Sequence, residues 1–553
     1  MNGKNQVKVA AGLGLDEPGP DYPEQSTHKP STRPEQHPRK QPTLAVKKLL
    51  NFGRKLAAGY NKLQVSHRGM YSIERLHAYQ AYCEKTSVAR AIAVCVLTPL
   101  PSLLAIILIE CFPLRDPLLG WEANYMFWIR FYISGIIVFI GCTYQATDMV
   151  DRVSISPLQR LGMSMVAMSI YVGTVILVSY LWVFPVPFGI VLGIGPCFAV
   201  FLVALIITIG PKTFKSNPGL GDEIKLQLYV LAVEGFISVL YPAFSSVYLR
   251  ASSTGRAGLV LLLPVIKILM KNVVAWSSSH VEDCIPVVTV FSIEVFNALY
   301  VATCMQSTKS TLATVIIIVS DVLNVILAFR SLLHRSRALE EEHQAAASEG
   351  NKHASVELIS TVMTSFHHLR TFKTQKGKEI RVRSPVKLGI ATNTEHVLDT
   401  LAEHQKQFVT NGARKNLELI EGTLQLLFHC EYHALVEYVE CAVPILFGVY
   451  LTILYQLPVH KYYPHTRDLE AGQLEGMLTS LSIYVTLEVL SFVGMHMALK
   501  RKFSLSALYQ LSFVLETHVV QLQSRMFVWI VFILQFTLAH YGVDFTFQFA
   551  WLF

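Results

Sequence analysis

Three apolar stretches of the chain each carry a carboxylate that is followed, three residues later, by a side chain able to form hydrogen bonds. These pairs are Glu294 with Asn297, Asp321 with Asn324, and Glu488 with Ser491. Residues three apart lie on one face of a helix, so each pair could bind a proton, a small cation or a polar solute. Burying an ionisable group in hydrocarbon costs at least about 2.5 kcal/mol. Because the chain repeats this costly arrangement in three stretches, the sequence indicates that the buried carboxylates have a functional role.

The same residues have a structural alternative, because Asn, Asp and Glu side chains also join transmembrane helices through hydrogen bonds worth about 1 kcal/mol each. A weak internal repeat bears on the choice, since the order Glu294 to Asp321 is matched by Glu488 to Glu516. Internal repeats are common in secondary transporters, whose binding sites lie near the bilayer midplane. The candidate substrate- or ion-binding residues are Glu294, Asn297, Asp321, Asn324, Glu488 and Glu516.

A second group of polar residues opens a later apolar run. His429, His433, Glu437 and Glu440 are separated by four, four and three positions, which places them in a narrow arc of one helix. Imidazole and carboxylate groups at this spacing could ligate a metal ion or relay protons. The alternative is an ordinary helix end whose polar groups contact water or lipid headgroups. If the chain holds a metal, these four residues are its predicted ligands.

The elements that must position these residues are apolar runs long enough to span a bilayer. The chain has 553 residues, 52% of them hydrophobic and 16% charged, with a mean hydropathy of +0.41. Since a transmembrane helix needs about 20 apolar residues, these runs predict an all-α polytopic transmembrane helix bundle of about 10–12 spans with a cytoplasmic insert. The runs are 88–111, 125–147, 161–184, 188–210, 226–249, 257–276, 285–306, 311–331, 434–457, 476–499, 504–524 and 526–548.

Two of these runs have an alternative placement at the membrane interface. Run 257–276 carries Lys267 and Lys271 one helical turn apart, and run 504–524 carries Glu516. Charged side chains are costly in hydrocarbon. The sequence therefore leaves open whether either run crosses the bilayer.

Composition divides the chain into five regions. A tail rich in Pro and Gln precedes a stretch in which basic and apolar residues alternate. This pattern fits a helix that lies on an anionic membrane surface and equally a helix that binds a soluble partner. Two transmembrane bundles follow, separated by a polar insert. The regions are a disordered tail, 1–43; a basic amphipathic helical region, 44–87, whose residues 44–63 could contact anionic lipid; a first bundle of about eight spans, 88–334; the insert, 335–427; and a second bundle of about three to four spans, 428–553.

Basic residues predict the orientation, because short cytoplasmic loops are enriched in Lys and Arg. When all twelve runs are counted as spans, most basic loops fall on one side. Both termini and residues 335–427 are then expected in the cytoplasm, with the protein in the plasma membrane or an endomembrane. Within the insert, Ser384-Pro385 lies in a basic stretch and is a candidate phosphorylation site.

Several functional classes lack support in the sequence. No Walker loop, GxSxG, HExxH or dinucleotide fingerprint is present, which leaves a nucleotide-driven or hydrolytic activity without basis. Nine cysteines are scattered singly with no CxxC pair. No nucleic-acid motif occurs, so the excess of 47 basic over 39 acidic residues is attributed to the membrane surface. No cofactor is expected, and the predicted partners are the lipid bilayer and an unknown small solute or ion.

Three short stretches resemble a known family. They are YQLSFVLE at 509–516, HYGVDFTF at 540–547 and FHCEYH at 428–433. They resemble sequences of an uncharacterised multi-pass membrane protein family of oomycetes such as Phytophthora. The resemblance implies a lineage, and it implies no activity and no site residues.

The favoured function is a secondary transporter or channel for an ion or small solute. The first alternative is a membrane receptor or signalling scaffold, in which the insert is the output and buried acids lock one conformation. The second alternative, an enzyme embedded in the membrane and built around the His429–Glu440 group, is less favoured. A cavity at the acids would favour transport, a metal at the histidines would favour the enzyme, and a dry, fully paired bundle would favour the scaffold.

Overall fold

A computed structural model of the protein contains helices and no strand in the part of the chain that it describes, which confirms the predicted all-α class. All of this part belongs to one compact unit, Ala58–Phe553. The predicted tail, the region 44–63, and most of the insert lie outside it. The described residues are 64–67, 69–150, 152–251, 253–299, 302, 327, 330, 381–384, 388, 413–467, 469–503, 505–545, 547 and 549.

The helices follow one another along the chain with short connections. Among them, α1 and α2 begin after capping serines, Ser72 and Ser87, and α5 begins with a capping box of Ser156 and Gln159. The α-helices are α1 (Ile73–Lys85), α2 (Val88–Leu97), α3 (Leu100–Glu110), α4 (Tyr125–Thr147), α5 (Pro157–Leu181), α6 (Gly189–Ile209), α7 (Pro211–Ser216), α8 (Leu220–Arg250), α9 (Ser253–Ser277), α10 (Ile285–Thr289), α11 (Ala413–Gln456), α12 (Ala471–Phe503), α13 (Ala507–Thr517) and α14 (Val519–Gln535). A π-helical turn, Val290–Glu294, follows α10, and 3-10 turns occur at Val65–His67, Pro117–Leu119, Ser279–Cys284, Pro458–Tyr462 and Ala539–Tyr541.

The described residues contain seven helices that are long and apolar enough to cross a membrane, or eight if the bent pair α13 and α14 counts as one span. The protein is therefore an integral membrane protein with several spans. The seven are Val88–Glu110, Tyr125–Thr147, Pro157–Leu181, Gly189–Ile209, Leu220–Phe244, Ile420–Gln456 and Gly472–Arg501. Run 311–331 and the end of run 285–306 fall almost wholly outside the described residues.

Contacts between loops identify two ends of the bundle. At one, named the insert end, the Ile73 amide donates a hydrogen bond to the Arg381 carbonyl oxygen. At the other, named the C-terminal end, His540 Nε2 lies 2.8 Å from the Arg115 carbonyl oxygen. The span Val88–Glu110 separates Ile73 from Arg115 along the chain. The two ends therefore lie at opposite ends of this apolar helix.

Helix α9 connects these two ends, although it is not one of the seven apolar helices. It starts after Arg250, whose guanidinium lies 4.4 Å from the Phe547 ring at the C-terminal end. It leads to Asp283, which accepts a hydrogen bond of 2.7 Å from the Ser72 hydroxyl at the insert end. A helix of 25 residues is about 37 Å long, which exceeds the hydrocarbon core of about 30 Å. This geometry favours a crossing over an interfacial placement for run 257–276.

The run 504–524 does not form a crossing of its own. Helix α13, which carries most of it, meets α14 at an angle of 83°. Near its start, the Ser506 carbonyl oxygen accepts a hydrogen bond from Tyr79, and near its end Glu516 pairs with Arg90. Tyr79 and Arg90 both lie at the insert end, so α13 lies there and α14 leads from it toward the C-terminal end.

The C-terminal segment consequently lies at the end opposite to the insert. Gln535, the last residue of α14, accepts a hydrogen bond from Arg130 near the start of α4, and His540 contacts Arg115. The sequence count treats 504–524 and 526–548 as two crossings, whereas α13 and α14 form a bent pair that counts as one span at most. The described residues from Gln535 to His540 therefore contact the C-terminal end of the bundle, whereas the segment 381–384 contacts the insert end.

Helix α11 forms the centre of the bundle. In its span, 67% of the most apolar window is buried inside the protein, compared with 11% for α6. It packs against α12, α13 and the π-helical turn. It is also continuous from Ala413 onward, so the predicted boundary between insert and second bundle at 427 falls inside one helix.

Candidate functional site

The first predicted acid lies in an unusual helical segment. Residues 285–299 are helical throughout, and within them the π-helical turn Val290–Glu294 replaces normal α-helical winding. Every residue of α10 and of this turn is buried. Single π-helical turns inside helices are rare and occur frequently at functional sites, because the extra residue redirects side chains. Here the turn ends on Glu294.

Glu294 is held by two lysines of α9. Its side chain is fully buried, and Glu294 Oε2 lies 2.7 Å from Lys267 Nζ. Its other carboxylate oxygen forms an ion pair with Lys271. The two lysines are four residues apart and so lie on one face of α9. The two ammonium groups therefore share the single negative charge of Glu294.

Lys267 also contacts an acid of the predicted metal-binding group. Lys267 Nζ lies 3.4 Å from Glu440 Oε1 on α11, so Lys267 bridges two carboxylates. Lys267, Lys271, Glu294 and Glu440 form what we name the lysine–glutamate cluster. Side-chain exposure is 16% for Lys267 and 12% for Glu440, and zero for Glu294. The cluster thus has one partly open side and one closed side.

Further carboxylates lie around the same part of α11. Glu437, Glu440 and Glu488 all act electrostatically on the thiol of Cys441. Glu488 is a buried residue of α12, which packs along α11. Lys267 joins Glu294 to Glu440, and Glu488 of α12 lies near Cys441, the residue that follows Glu440.

A second buried cluster adjoins the first at the π-helical turn. The Ser292 hydroxyl donates a hydrogen bond of 2.5 Å to Glu234 of α8 and accepts one of 3.1 Å from Arg525 Nε of α14. Arg525 also donates to the side chain of Gln521, which in turn donates to Asp148. This chain of polar groups leads from the interior to the loop after α4. We name it the arginine cluster.

A third cluster lies at the insert end. The fully buried Arg75 of α1 pairs with Glu431 of α11 through two hydrogen bonds of 2.9 and 3.0 Å. Tyr71 also donates to Glu431, and Gln510 donates to the Tyr71 hydroxyl. Burial raises the pKa of the Tyr71 hydroxyl well above its ordinary value, and the Glu431 charge raises it further, so the hydroxyl keeps its proton. Arg75 Nη1 lies 2.9 Å from His518.

The remaining predicted binding residues are placed differently. Glu516 lies at the insert end, where it accepts hydrogen bonds from Arg90 and Tyr82, and it is not part of the lysine–glutamate cluster. Asn297 is half-buried and lies three residues after Glu294 on the continuing helix. Two further candidates, Asp321 and Asn324, lie outside the described residues.

The predicted metal ligands lie along α11 as the spacing requires. The rings of His429 and His433 are 4.6 Å apart and nearly perpendicular, and His429 Nδ1 lies 3.4 Å from the Ser66 carbonyl oxygen. In the described part of the chain, no group of three or more His, Cys, Asp or Glu side chains is arranged to hold a metal ion. Glu440 instead contributes to the lysine–glutamate cluster, and Glu437 lies beside it near Cys441.

Sequence reasoning missed the basic partners of the buried acids. Lys267 and Lys271 were used only as evidence that run 257–276 could lie at the membrane interface. Arg525 and Glu234 were not identified as candidate residues. A signal was present, because two lysines one turn apart in an apolar run require an opposite charge inside the membrane. Glu294 lies in the next apolar run.

No protein-family model, curated protein or solved structure matches this chain. Its function must therefore be argued from the buried charges alone, and the oomycete resemblance remains an expectation.

Proposed function

We propose that this membrane protein is a cation-coupled secondary transporter of a small solute, with the lysine–glutamate cluster as its ion-binding site. The observation that carries the proposal is the fully buried Glu294, held on a π-helical turn by Lys267 and Lys271. Lys267 is shared with Glu440, so the carboxylates compete for one ammonium group. Such shared pairing allows one partner to be exchanged for another.

The energetic argument starts from the cost of the cluster. Removing ions from water costs several kcal/mol per ion, and well-packed apolar residues often replace a buried ion pair without loss of stability. A membrane protein that keeps four ionisable groups in contact therefore gains little stability from them, which favours a functional reason. Proton relays and ion pathways are the usual functions of such groups.

The depth of the cluster supports the same interpretation. Lys267 lies near the middle of α9, and Glu440 lies near the middle of the span Ile420–Gln456. Both are therefore close to the centre of the bundle, where secondary transporters place their substrate and coupling ions. These proteins also use interrupted helices at the site, and the π-helical turn before Glu294 interrupts its helix.

The charge balance indicates which ion is bound. Glu440 contacts Lys267 at 3.4 Å, while Glu294 holds both Lys267 and Lys271, so Glu440 is the carboxylate of the cluster with the longer contact. A partly exposed carboxylate of this kind can bind a proton or a small hard cation. When such a cation binds to Glu440 from its partly exposed side, the attraction between Glu440 and Lys267 is lost, and Lys267 is held by Glu294 alone. Cation binding is thereby coupled to the packing of α9 against α11.

Reconstitution tests the proposal. Full-length protein is placed in liposomes that contain a pH-sensitive dye, and proton and Na⁺ gradients are imposed with and without a panel of amino acids, sugars and carboxylates outside. Ion movement faster than in protein-free liposomes is expected, and Glu440→Gln should slow it by roughly tenfold, as for a barrier change of about 1.4 kcal/mol. Glu440→Gln is preferred to Glu294→Gln because it leaves Lys267 paired with Glu294.

The matched control is Glu122→Gln, which removes an acid from an exposed loop position. It should leave the rate unchanged. Wild-type rates equal to those of protein-free liposomes under every gradient and solute would contradict transport. Equal rates for wild type and Glu440→Gln would remove the cluster from the mechanism.

A receptor or signalling scaffold is the second candidate, because ion pairing is extensive in all three clusters. Arg75 with Glu431 and Lys267 with Glu294 are both buried pairs that could lock one conformation. The segment 381–384 also contacts the bundle directly, as an output region would. In this case Glu440→Gln would change insert contacts and leave ion movement at the protein-free level.

We further propose that the insert end faces the cytoplasm and the C-terminal end the exterior. The support is the excess of basic residues in the insert together with the contact between Ile73 and Arg381, which joins the insert to the segment before the first span.

A further inference from the structure

A short segment of the insert, residues 381–384, docks against the start of α1. The amides of Ile73 and Glu74 donate hydrogen bonds of 3.0 Å to the carbonyl oxygens of Arg381 and Val382. The first amides of a helix have no acceptor within the helix itself. The insert segment therefore supplies two of the acceptors that α1 lacks. The Val382 side chain is buried, 2% exposed, in the same contact.

Acidic side chains of the bundle hold the basic side chains of this segment. Arg381 Nη2 lies 2.8 Å from Asp283 and Arg381 Nε lies 3.0 Å from Glu282. Arg383 lies 3.7 Å from Glu74. Three carboxylates and two guanidinium groups therefore meet at this contact.

Ser384 ends the docked segment beside one of these acids. Its amide donates a hydrogen bond of 2.7 Å to Glu74 Oε2. Ser384 is only partly buried, and proline follows it in the sequence. The residue is thus accessible at the surface of the contact, while its neighbour Val382 is not.

We propose that Ser384 is a phosphorylation site for a proline-directed kinase and that its phosphorylation releases residues 381–384 from α1. In this reaction the Ser384 hydroxyl oxygen forms a bond to the γ-phosphorus of ATP. The bond from that phosphorus to the β–γ bridging oxygen breaks, ADP leaves, and the hydroxyl proton passes to the base of the kinase. The product carries a charge of about −1.5 to −2 at neutral pH.

The negative charge added at Ser384 opposes the docking of residues 381–384 because it lies beside an acidic residue of α1. A phosphate on Ser384 lies next to the Glu74 carboxylate, and a phosphate placed beside an acid disrupts the local structure by repulsion. It also offers Arg383 a stronger partner than Glu74. Both effects weaken the contacts that hold Arg381 and Val382 at the start of α1. Arg75, the next residue of α1, pairs with Glu431, so the release acts directly beside α11.

Hydrogen exchange of full-length protein in lipid nanodiscs tests this proposal. The protein is treated with ATP and a proline-directed kinase, and deuterium uptake is measured for the peptide that contains Ile73 and Glu74. Phosphorylation at Ser384 should raise the exchange rate of these two amides by roughly tenfold or more, because they lose their acceptors. The Ser384→Ala variant, treated in the same way, should show no increase.

Glu74→Gln supplies a second comparison. Because it removes the repelling charge, phosphorylation of this variant should raise exchange clearly less than in wild type. Unchanged exchange after complete phosphorylation of Ser384 would overturn the proposal. Failure of the kinase to modify Ser384 in the folded protein, or an equal increase in Ser384→Ala, would overturn it as well.

Discussion

Ser292 and Glu294 lie two positions apart on one π-helical turn and contact two different clusters of buried charge. Ser292 bonds Glu234 and Arg525, whereas Glu294 pairs with lysines of α9. Residues two apart point to nearly opposite sides of a helix. The turn therefore separates the arginine cluster from the lysine–glutamate cluster by the width of one helix. A rotation of this turn would alter both clusters together, which is the coupling that a transporter or a receptor needs.

The first prediction concerns the pair Glu294 and Lys271. Glu294→Gln should lower the free energy of unfolding by about 3–5 kcal/mol, because it removes the carboxylate that pairs with Lys271 and leaves Lys267 with its longer contact to Glu440. The double variant Glu294→Gln with Lys271→Gln should lose clearly less than the sum of the single losses, by at least about 1 kcal/mol. Denaturant unfolding in mixed micelles measures all four proteins. Strictly additive losses would show that the two side chains do not interact.

The second prediction compares a buried and an exposed ion pair at the insert end. Arg75→Ala should cost about 3–5 kcal/mol, because Arg75 and Glu431 are both fully buried. Arg90→Ala should cost at most about 1 kcal/mol, because the Arg90 side chain is 63% exposed in its pair with Glu516. Thermal unfolding of both variants under identical detergent conditions gives the comparison. Similar losses for the two would mean that burial does not decide the strength of these pairs.

The third prediction concerns the close approach of α4 and α14. A Cβ at Gly141 would lie 2.7 Å from Val528 Cγ2 and 2.9 Å from the Ser524 carbonyl oxygen. Gly141→Ala should therefore destabilise the protein by about 1–3 kcal/mol. Gly162→Ala in α5 is the matched control, since nothing lies within 4 Å of that position. It should be neutral or stabilise by up to about 1 kcal/mol.

If Gly141→Ala leaves stability unchanged, then α4 and α14 are not packed at this distance. The same contact brings Arg525 of α14 to Ser292, so Gly141→Ala should also weaken the arginine cluster.

The sequence was sufficient for the helical class and for most crossing helices, because hydropathy over about 20 residues depends only on local composition. It also identified Glu294 as a buried acid. It could not identify the partners of Glu294, because helical periodicity relates residues only within one helix. Glu440, for example, contacts Lys267 across 173 positions of the chain. Pairings of this kind follow from how α9 packs against α11.

The number of crossings shows a related limit. Basic-residue counting assigns sides by counting crossings, so one extra crossing reverses every later segment. Helix α13 is apolar enough to be counted, yet it bends by 83° against α14 and stays at the insert end. Its contacts with Tyr79 and Arg90 decide this placement, and they are contacts with a helix more than 400 positions earlier.

The fourth prediction is a pH dependence that arises from His540. Burial lowers the pKa of this histidine to about 4, and its Nε2–H donates to the Arg115 carbonyl oxygen, so the ring is neutral in the folded protein. In the unfolded chain its pKa returns to about 6.5. Between these values the unfolded state binds more protons, so stability is fully present above about pH 6.5 and falls as the pH approaches 4. The loss attributable to His540 is about 3 kcal/mol.

Thermal unfolding between pH 4 and pH 8 measures this dependence. His540→Gln keeps a hydrogen-bond donor but has no titrating group, so its unfolding temperature should fall less steeply on acidification than that of wild type. Parallel curves for the two proteins would assign the acid sensitivity to other groups.

The last prediction concerns the sides of the membrane on which the insert and the C-terminus lie. A protease site placed after Gly350 reports on the insert, and an epitope tag with its own protease site after Phe553 reports on the C-terminus. Residues 381–384 contact α1 at the insert end, while His540 contacts Arg115 at the C-terminal end, so the two sites should lie on opposite sides. In sealed membrane vesicles of one orientation, protease added outside should cut one of the two sites and leave the other intact until the membrane is opened. Cleavage of both sites in sealed vesicles, or protection of both, would contradict the placement of α13 and α14 as a single bent crossing.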